Sequence, residues 1–148
     1  MRNSEIQSYR DLDAWRVSMD LSVLVYRAVK GLPDTERFEL SAQMRRAGVS
    51  VPSNVAEGQA CGEDGRYIHH LRIALGSLGE LSTQTEIARR LAMLPTAVLA
   101  DLEQTIARTG QVVHGLLRSR RRKRRLQVTG TALITTLAVL WMGAPLLG

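Results

Sequence analysis

A chain of 148 residues makes one domain with at most a short appendage. Its single cysteine, Cys61, excludes an internal disulfide and a cysteine-only zinc site. The formal net charge of +6 is concentrated: residues 1–117 hold 13 of the 20 Lys and Arg and all 14 Asp and Glu, and residues 118–125, RSRRRKRR, hold the other seven basic residues. A body that is basic all over and attracts nucleic acid by its general field is thereby excluded. One Phe, two Trp and three Tyr leave the core to Leu and Ala, which suits helix packing. No apolar run near the N-terminus reads as a cleavable signal peptide.

Residues 1–8 are polar and are expected to fray. From Tyr9 to Lys30 the spacing predicts an amphipathic helix with two apolar lines. One runs through Leu12, Trp15, Met19, Val23, Tyr26 and Val29, the other through Val17, Leu21, Leu24 and Ala28. A helix with one wet face needs a single stripe, so the pair implies either contact with another subunit or a wide core face. Gly31-Leu32-Pro33-Asp34 breaks the chain. Asp34 or Thr35 is placed to cap the next helix, with Glu36 in its first turn.

The second helix is read through Leu40, Met44, Ala47, Val51 and Val55 to about Gly58, with Pro52 in its middle. A mid-helix proline removes a backbone donor and costs about 3 kcal/mol, so a kink or strong packing is expected there. Ala47, Gly48, Ser50, Ser53, Ala56 and Gly58 are small enough for close approach of another helix, while Gln43, Arg46, Ser50, Asn54 and Glu57 form a polar stripe. The polar loop Gly62-Glu63-Asp64-Gly65 leads to a third helix from about Arg66 to Leu91, with Leu71, Ala74, Leu75, Leu78, Leu81, Thr85 and Ala88 inward. Gly76 and Gly79 cost that helix roughly 1 kcal/mol each and are expected to lie under a packed neighbour. After Met93-Leu94-Pro95-Thr96 a fourth helix has Leu99, Leu102, Ile106, Val113 and Leu116 as its seam. Short connections favour antiparallel neighbours.

These blocks carry a family resemblance. Leu40, Gln43, Arg45, Arg46, Ala47, Ser50, Val51, Pro52, Ser53, Asn54, Val55, Ala56, Glu57 and Gly58 fit the pattern LxxQxRRAxxS(I/V)PSN(I/V)AEG. Tyr9, Leu12 and Trp15 fit an aromatic-x-x-L-x-x-W opening, and Ala74, Gly76, Ser77, Glu80, Thr83 and Gln84 fit AxGSxxExxTQ. Over roughly residues 8–117 the chain resembles the small proteins encoded within intervening sequences of bacterial large-subunit ribosomal RNA genes. That resemblance implies an antiparallel four-helix bundle and a ring-like homo-oligomer, often a pentamer. A distant relative, the accessory protein of diversity-generating retroelements, binds nucleic acid and a reverse transcriptase. The family has no agreed activity.

Arg45 and Arg46 are tandem and point about 100° apart on a helix. One is expected to face solvent and contact phosphate, the other to pair with Glu57 or Glu80 within or between subunits. Asn54, Glu57, Ser77, Glu80 and Gln84 are read as one structural polar layer between the second and third helices. A bundle metal site would need Glu-x-x-His pairs, and no Glu here has His three residues on, so no metal or cofactor is expected. His69 and His70 are adjacent, poor geometry for joint chelation, and with His114 are read as surface or boundary residues; Cys61 is read as inert. No phosphate-cradling glycine loop and no Ser-His-Asp signature appears, so neither an enzyme nor a small-molecule substrate is expected.

The run Arg118, Arg120, Arg121, Arg122, Lys123, Arg124 and Arg125 is read as a linker that contacts nucleic acid, contacts anionic lipid, or signals topology beside a membrane helix. Beyond it, Leu126 to Gly148 is an uncharged tail, about 34 Å long if helical and so a candidate span, the alternatives being a fifth helix folded onto the bundle or a poorly ordered extension. Its basic flank would keep the bundle cytoplasmic, anchored to the inner membrane. The pattern as a whole predicts an all-α, up-down four-helix bundle with a kinked second helix and a C-terminal apolar helix. Its function is read as a non-catalytic, homo-oligomeric module binding RNA, DNA or a nucleoprotein, the alternative being a membrane-anchored scaffold.

Overall fold

The computed structural model describes residues 7–142, with side chains through residue 129. Ser8 opens this span. Its Oγ accepts the Arg10 N–H at 3.3 Å while the Asp11 carboxylate accepts the Ser8 N–H at 2.8 Å, a reciprocal cap on the 3-10 turn Tyr9–Asp11. Leu12 is extended, so the expected helix from Tyr9 is divided, and α1 covers Asp13–Ala28. The turn Asp34–Glu36 is separate from the second helix. That helix, α2, covers Leu40–Ala60, and the Leu40 N–H is met by the Glu36 carboxylate at 3.3 Å. The expected capping by Asp34 or Thr35 is thus replaced by a carboxylate reaching forward from the preceding turn.

Helix α3 covers Asp64–Arg90 and α4 covers Thr96–Met142. Between them Ala92 stands at φ 50°, a left-handed conformation that costs an L-residue roughly 1–2 kcal/mol. What holds it there is a helix-ending pair of hydrogen bonds, from Met93 N to Ala88 O at 2.9 Å and from Ala92 N to Arg89 O at 3.0 Å. Helix α1 packs on α2 and α4, and α3 packs on α2 and α4, so α1 and α3 lie on a diagonal of a four-helix bundle. The described residues contain no strand.

The core joins Leu21 and Val25 of α1, Met44, Val51 and Val55 of α2, Leu71 and Leu81 of α3, and Leu102 and Val113 of α4, all fully buried. Each such side chain contributes about 1.5–3 kcal/mol by leaving water. On α1 the buried line is Ala14, Ser18, Leu21, Ser22, Val25 and Ala28. The first of the two expected lines therefore points outward in its middle: Met19, Val23 and Tyr26 are 37%, 45% and 48% exposed.

Helix α2 runs through Pro52 without a break. Pro52 has no N–H for the Gly48 carbonyl one turn back, and α1 supplies the missing donor: Ser22 Oγ lies 2.7 Å from Gly48 O. The same hydroxyl is 2.9 Å from Ser18 O, but that carbonyl already has its own helical N–H. The single hydroxyl proton is therefore best used on Gly48. Close approach is what permits this, since a Cβ on Gly48 would meet Val25 at 3.4 Å. Gly58 is tighter still, because a Cβ there would stand 2.4 Å from the Tyr67 ring. Gly76 and Gly79 differ: a Cβ on either would meet nothing within 4 Å, so no helix among the described residues packs on them as expected.

In the tail, no helix among the described residues is long and apolar enough to cross a membrane. Residues 143–148 of the Leu126–Gly148 stretch, and the side chains from residue 130 on, lie outside the described residues.

Ser22→Ala is expected to lower stability by about 1–3 kcal/mol, the cost of leaving a buried carbonyl without a partner. Urea denaturation checks this, and a loss within a few tenths of a kcal/mol would show that the Gly48 carbonyl is satisfied otherwise.

Candidate nucleic-acid interface

The basic run continues the fourth helix. Helix α4 passes through residues 118–125 unbroken, so each basic side chain has a fixed angular position instead of the freedom of a linker. Arg120 points inward, with its side chain only 19% exposed. Its Nη1 lies 3.4 Å from Asp64 Oδ1, and its Nη2 donates to Gln59 Oε1 at 3.3 Å. Its guanidinium carbon stands 4.4 Å from the centre of the Tyr67 ring, within cation–π range. Asp64, the first residue of α3, is itself 10% exposed and also receives Lys123 Nζ at 3.9 Å. Arg120 is therefore a latch between α4 and the α2–α3 corner and turns inward from the seven expected contacts, while Lys123 stays exposed beside Asp64.

The other five arginines, Arg118, Arg121, Arg122, Arg124 and Arg125, are exposed. Arg121, Arg124 and Arg125 meet His69 and Arg72 of α3 around a cleft of about 530 Å³ floored by Gly65, Ile68 and Val128. The matching is periodic. Residues 65, 68, 69 and 72 on α3 and residues 121, 124, 125 and 128 on α4 are each an i, i+3, i+4, i+7 row, which is one face of a helix. No carboxylate lines the cleft; Glu63 stands at its rim, where its Oε1 would be 3.3 Å from a Cβ on Gly65. Nothing in the sequence alone sets Arg72 apart, and His69 reads there as a surface or boundary residue. The signal for both was their spacing from Gly65 and Ile68.

Arg45 and Arg46 are elsewhere. Arg45 is half-buried and its Nη2 donates to Arg37 O at 3.2 Å, bracing the turn before α2, while Arg46 is exposed. Neither pairs with Glu57 or Glu80 within the described chain, which leaves the pairing between subunits as the expectation. Arg120 reaches α2 at Gln59, about 21 Å along the helix axis from Arg45 at 1.5 Å per residue. The structure therefore does not bring the tandem arginines and the basic run into one site.

The polar layer between α2 and α3 forms with different members. Ser77 Oγ donates to Ser50 Oγ at 2.8 Å, and Asn54 Nδ2 donates to Ser50 O at 2.9 Å. Asn54 Oδ1 lies 3.1 Å from His70 Nδ1, which is also 3.4 Å from Glu57 Oε2. Both neighbours of Nδ1 are acceptors, so that nitrogen carries the proton. Glu80 is exposed and outside the layer, and Gln84 is half-buried with its Oε1 unpartnered. His70 takes their place; it precedes Ser77 by seven residues, two helical turns on the same face. Among the described residues no cluster of three His, Cys, Asp or Glu is placed to hold a metal.

Tyr67, packed under Gly58 and Arg120, is buried, and among the described residues its Oη has no hydrogen-bond partner of good geometry, although the Arg120 guanidinium lies close enough to favour the ionised phenol. Burial pushes its phenol pKa above the ordinary 10.0, and the Arg120 charge opposes this without reversing it.

Comparison with known proteins places this geometry in context. Residues 10–115 match the 23S rRNA-intervening sequence protein family. Among solved structures the chain is similar to a protein with unknown function from the S23 ribosomal protein family of Bacteroides thetaiotaomicron. The two superpose with a TM-score of 0.66 at 19% identity, over 71% of this chain and 95% of that one, a likeness of fold. No curated protein matches the chain.

A raised phenol pKa in the folded state contributes stability below the unfolded value of 10.0 that is lost as pH rises above it. Stability is thus expected to fall in the alkaline range, and Tyr67→Phe to remove that component. Near pH 7 the same variant should be neutral or up to about 1 kcal/mol more stable, because a buried unpartnered hydroxyl is removed. Denaturation curves across this range test both, and a large loss at pH 7 would mean the hydroxyl has a partner.

Proposed function

The chain belongs to the 23S rRNA-intervening sequence protein family, and we propose that it is a non-catalytic, homo-oligomeric scaffold that binds RNA or DNA through the arginine face of α4. The observation that carries this reading is the set of five exposed arginines without an ion pair among the described residues. Arg118, Arg121, Arg122, Arg124 and Arg125 stand in like-charge pairs three or four apart, each opposing the helix by about 0.2–0.5 kcal/mol. A polyanion would reverse that repulsion, and release of its counterions would drive binding. Support for assembly comes from α1 and α2. Trp15, Met19, Val23, Tyr26, Val49 and Pro52 line an apolar groove of about 550 Å³, and a second copy would bury it.

The rival reading is a membrane-anchored scaffold whose basic run meets lipid headgroups. It is favoured by the continuation of α4 past the run to Met142, with Leu126 and Val128 exposed.

Replacing the five arginines with Gln while keeping Arg120 and Lys123 is expected to weaken duplex binding more than tenfold at low salt and to flatten its salt dependence. Fluorescence anisotropy from about 50 to 200 mM salt measures both. Unchanged affinity, or binding transferred to acidic vesicles alone, would remove the nucleic-acid reading. For assembly, Val23→Asp with Tyr26→Ser is expected to lower the mass seen by light scattering to that of the monomer while helicity is kept. An unchanged mass would place the interface elsewhere.

A further inference from the structure

We infer that α3 supplies the second wall of the anion-binding surface, and that the cleft between Arg72 and His69 on one side and Arg121, Arg124 and Arg125 on the other seats the phosphodiester backbone of a nucleic acid without reading its bases. This rests on the function proposed above and adds two side chains from outside the basic run. Three observations support it. Arg72 and His69 of α3 line one cleft with Arg121, Arg124 and Arg125 of α4, on i, i+3, i+4, i+7 positions of each helix. No carboxylate lines the space between them; Glu63 stands at the rim, its Oε1 3.3 Å and the Arg124 Nη1 4.0 Å from a Cβ on Gly65, so the arginines inside the cleft are balanced from one edge only. The Arg120 latch to Asp64, Gln59 and Tyr67 fixes the rotation of α4, so that the residues one, four and five positions further on turn toward α3.

The chemistry of the cleft favours backbone over base. Guanidinium groups present paired donors to phosphate oxygens. The floor is Ile68 and Val128, and the one ring in the lining is His69, whereas readout of unpaired bases relies on aromatic stacking platforms. Contacts confined to phosphates position a nucleic acid but carry no sequence information. Aliphatic floor residues under a cationic rim also suit a lipid headgroup, and the test separates that source.

The experiment compares the full chain with Arg72→Gln, His69→Gln and, as a control, Arg108→Gln, an exposed arginine of α4 outside the cleft. Each is titrated by anisotropy with two labelled duplexes of AT-rich and GC-rich sequence, and separately with vesicles containing phosphatidylglycerol. Circular dichroism confirms that each variant is folded. Arg72→Gln is expected to weaken duplex binding about five- to tenfold and to lower the slope of log K against log salt by about 1, the signature of one lost phosphate contact. His69→Gln should weaken it less, Arg108→Gln by under twofold, and the two duplexes should bind equally within about twofold.

Parental affinity and slope in Arg72→Gln, with binding still lost in the five-arginine variant, would overturn the two-walled cleft and leave the proposed function standing. A tenfold preference between duplexes would overturn backbone recognition. If the parent binds neither duplex, both the function and this inference fail. If instead the vesicles bind and Arg72→Gln releases them, the cleft is a lipid-headgroup site and the nucleic-acid assignment is wrong.

Discussion

The hydrogen bond from Ser22 to the Gly48 carbonyl is the constraint on which the bundle depends. Pro52 leaves that carbonyl without its helical donor, in a stretch where Gly48, Val51 and Pro52 are all buried. A buried acceptor without a partner costs about 1–3 kcal/mol. The donor must therefore come from another helix, and only a short side chain at close range reaches. Ser22 on α1 and a glycine at position 48 satisfy both requirements. The consequence is a fixed depth and register for α1 against α2, which leaves Met19, Val23 and Tyr26 on the outside and so creates the apolar groove. A defect in one helix becomes the device that places its neighbour.

At the other end of α2 a second constraint governs the basic face. Gly58 admits the Tyr67 ring, Tyr67 carries the Arg120 guanidinium, and Arg120 joins Asp64 and Gln59. The ion pair is largely buried, so the desolvation of both charges offsets much of their attraction. Its effect is on direction, because α4 cannot rotate without breaking a stacking contact, a hydrogen bond and a charge pair together. Gly58 closes the stretch from Leu40 through Pro52, so the close α2–α3 approach and the orientation of the arginines share one residue.

The sequence made the architecture legible because helical periodicity and short connections are local signals. The buried lines of α2, α3 and α4 follow the spacing of Met44, Leu71 and Leu102 and their neighbours. What escaped was set by tertiary contact. Glu36 rather than Asp34 serves the start of α2, since chain reversal at Pro33 decides which carboxylate can reach Leu40. Ala92 holds a left-handed conformation that no composition rule assigns to alanine. Gly76 and Gly79 look like packing glycines but face open space in this chain. In the candidate site, the five outward arginines were visible as a run, but the inward turn of Arg120 and the partnership of Arg72 and His69 depend on which face of α3 meets α4. His70 joined the polar layer for the same reason, sharing a face with Ser77.

The unbroken course of α4 from Thr96 to Met142 has a mechanical consequence. A flexible tether would tolerate any change of length between bundle and arginines, but a helical shaft converts length into angle. One residue inserted after Leu117 would swing everything beyond it by about 100° and advance it by about 1.5 Å, carrying Arg120 away from Asp64 and turning the neighbouring arginines off the α3 wall. Seven residues would nearly restore the angle while raising the set by about 10 Å, past the end of α3. In this chain the spacing between the hydrophobic seam and the basic face is therefore a dimension of the molecule, set to the residue, as the teeth of a gear are set to its shaft.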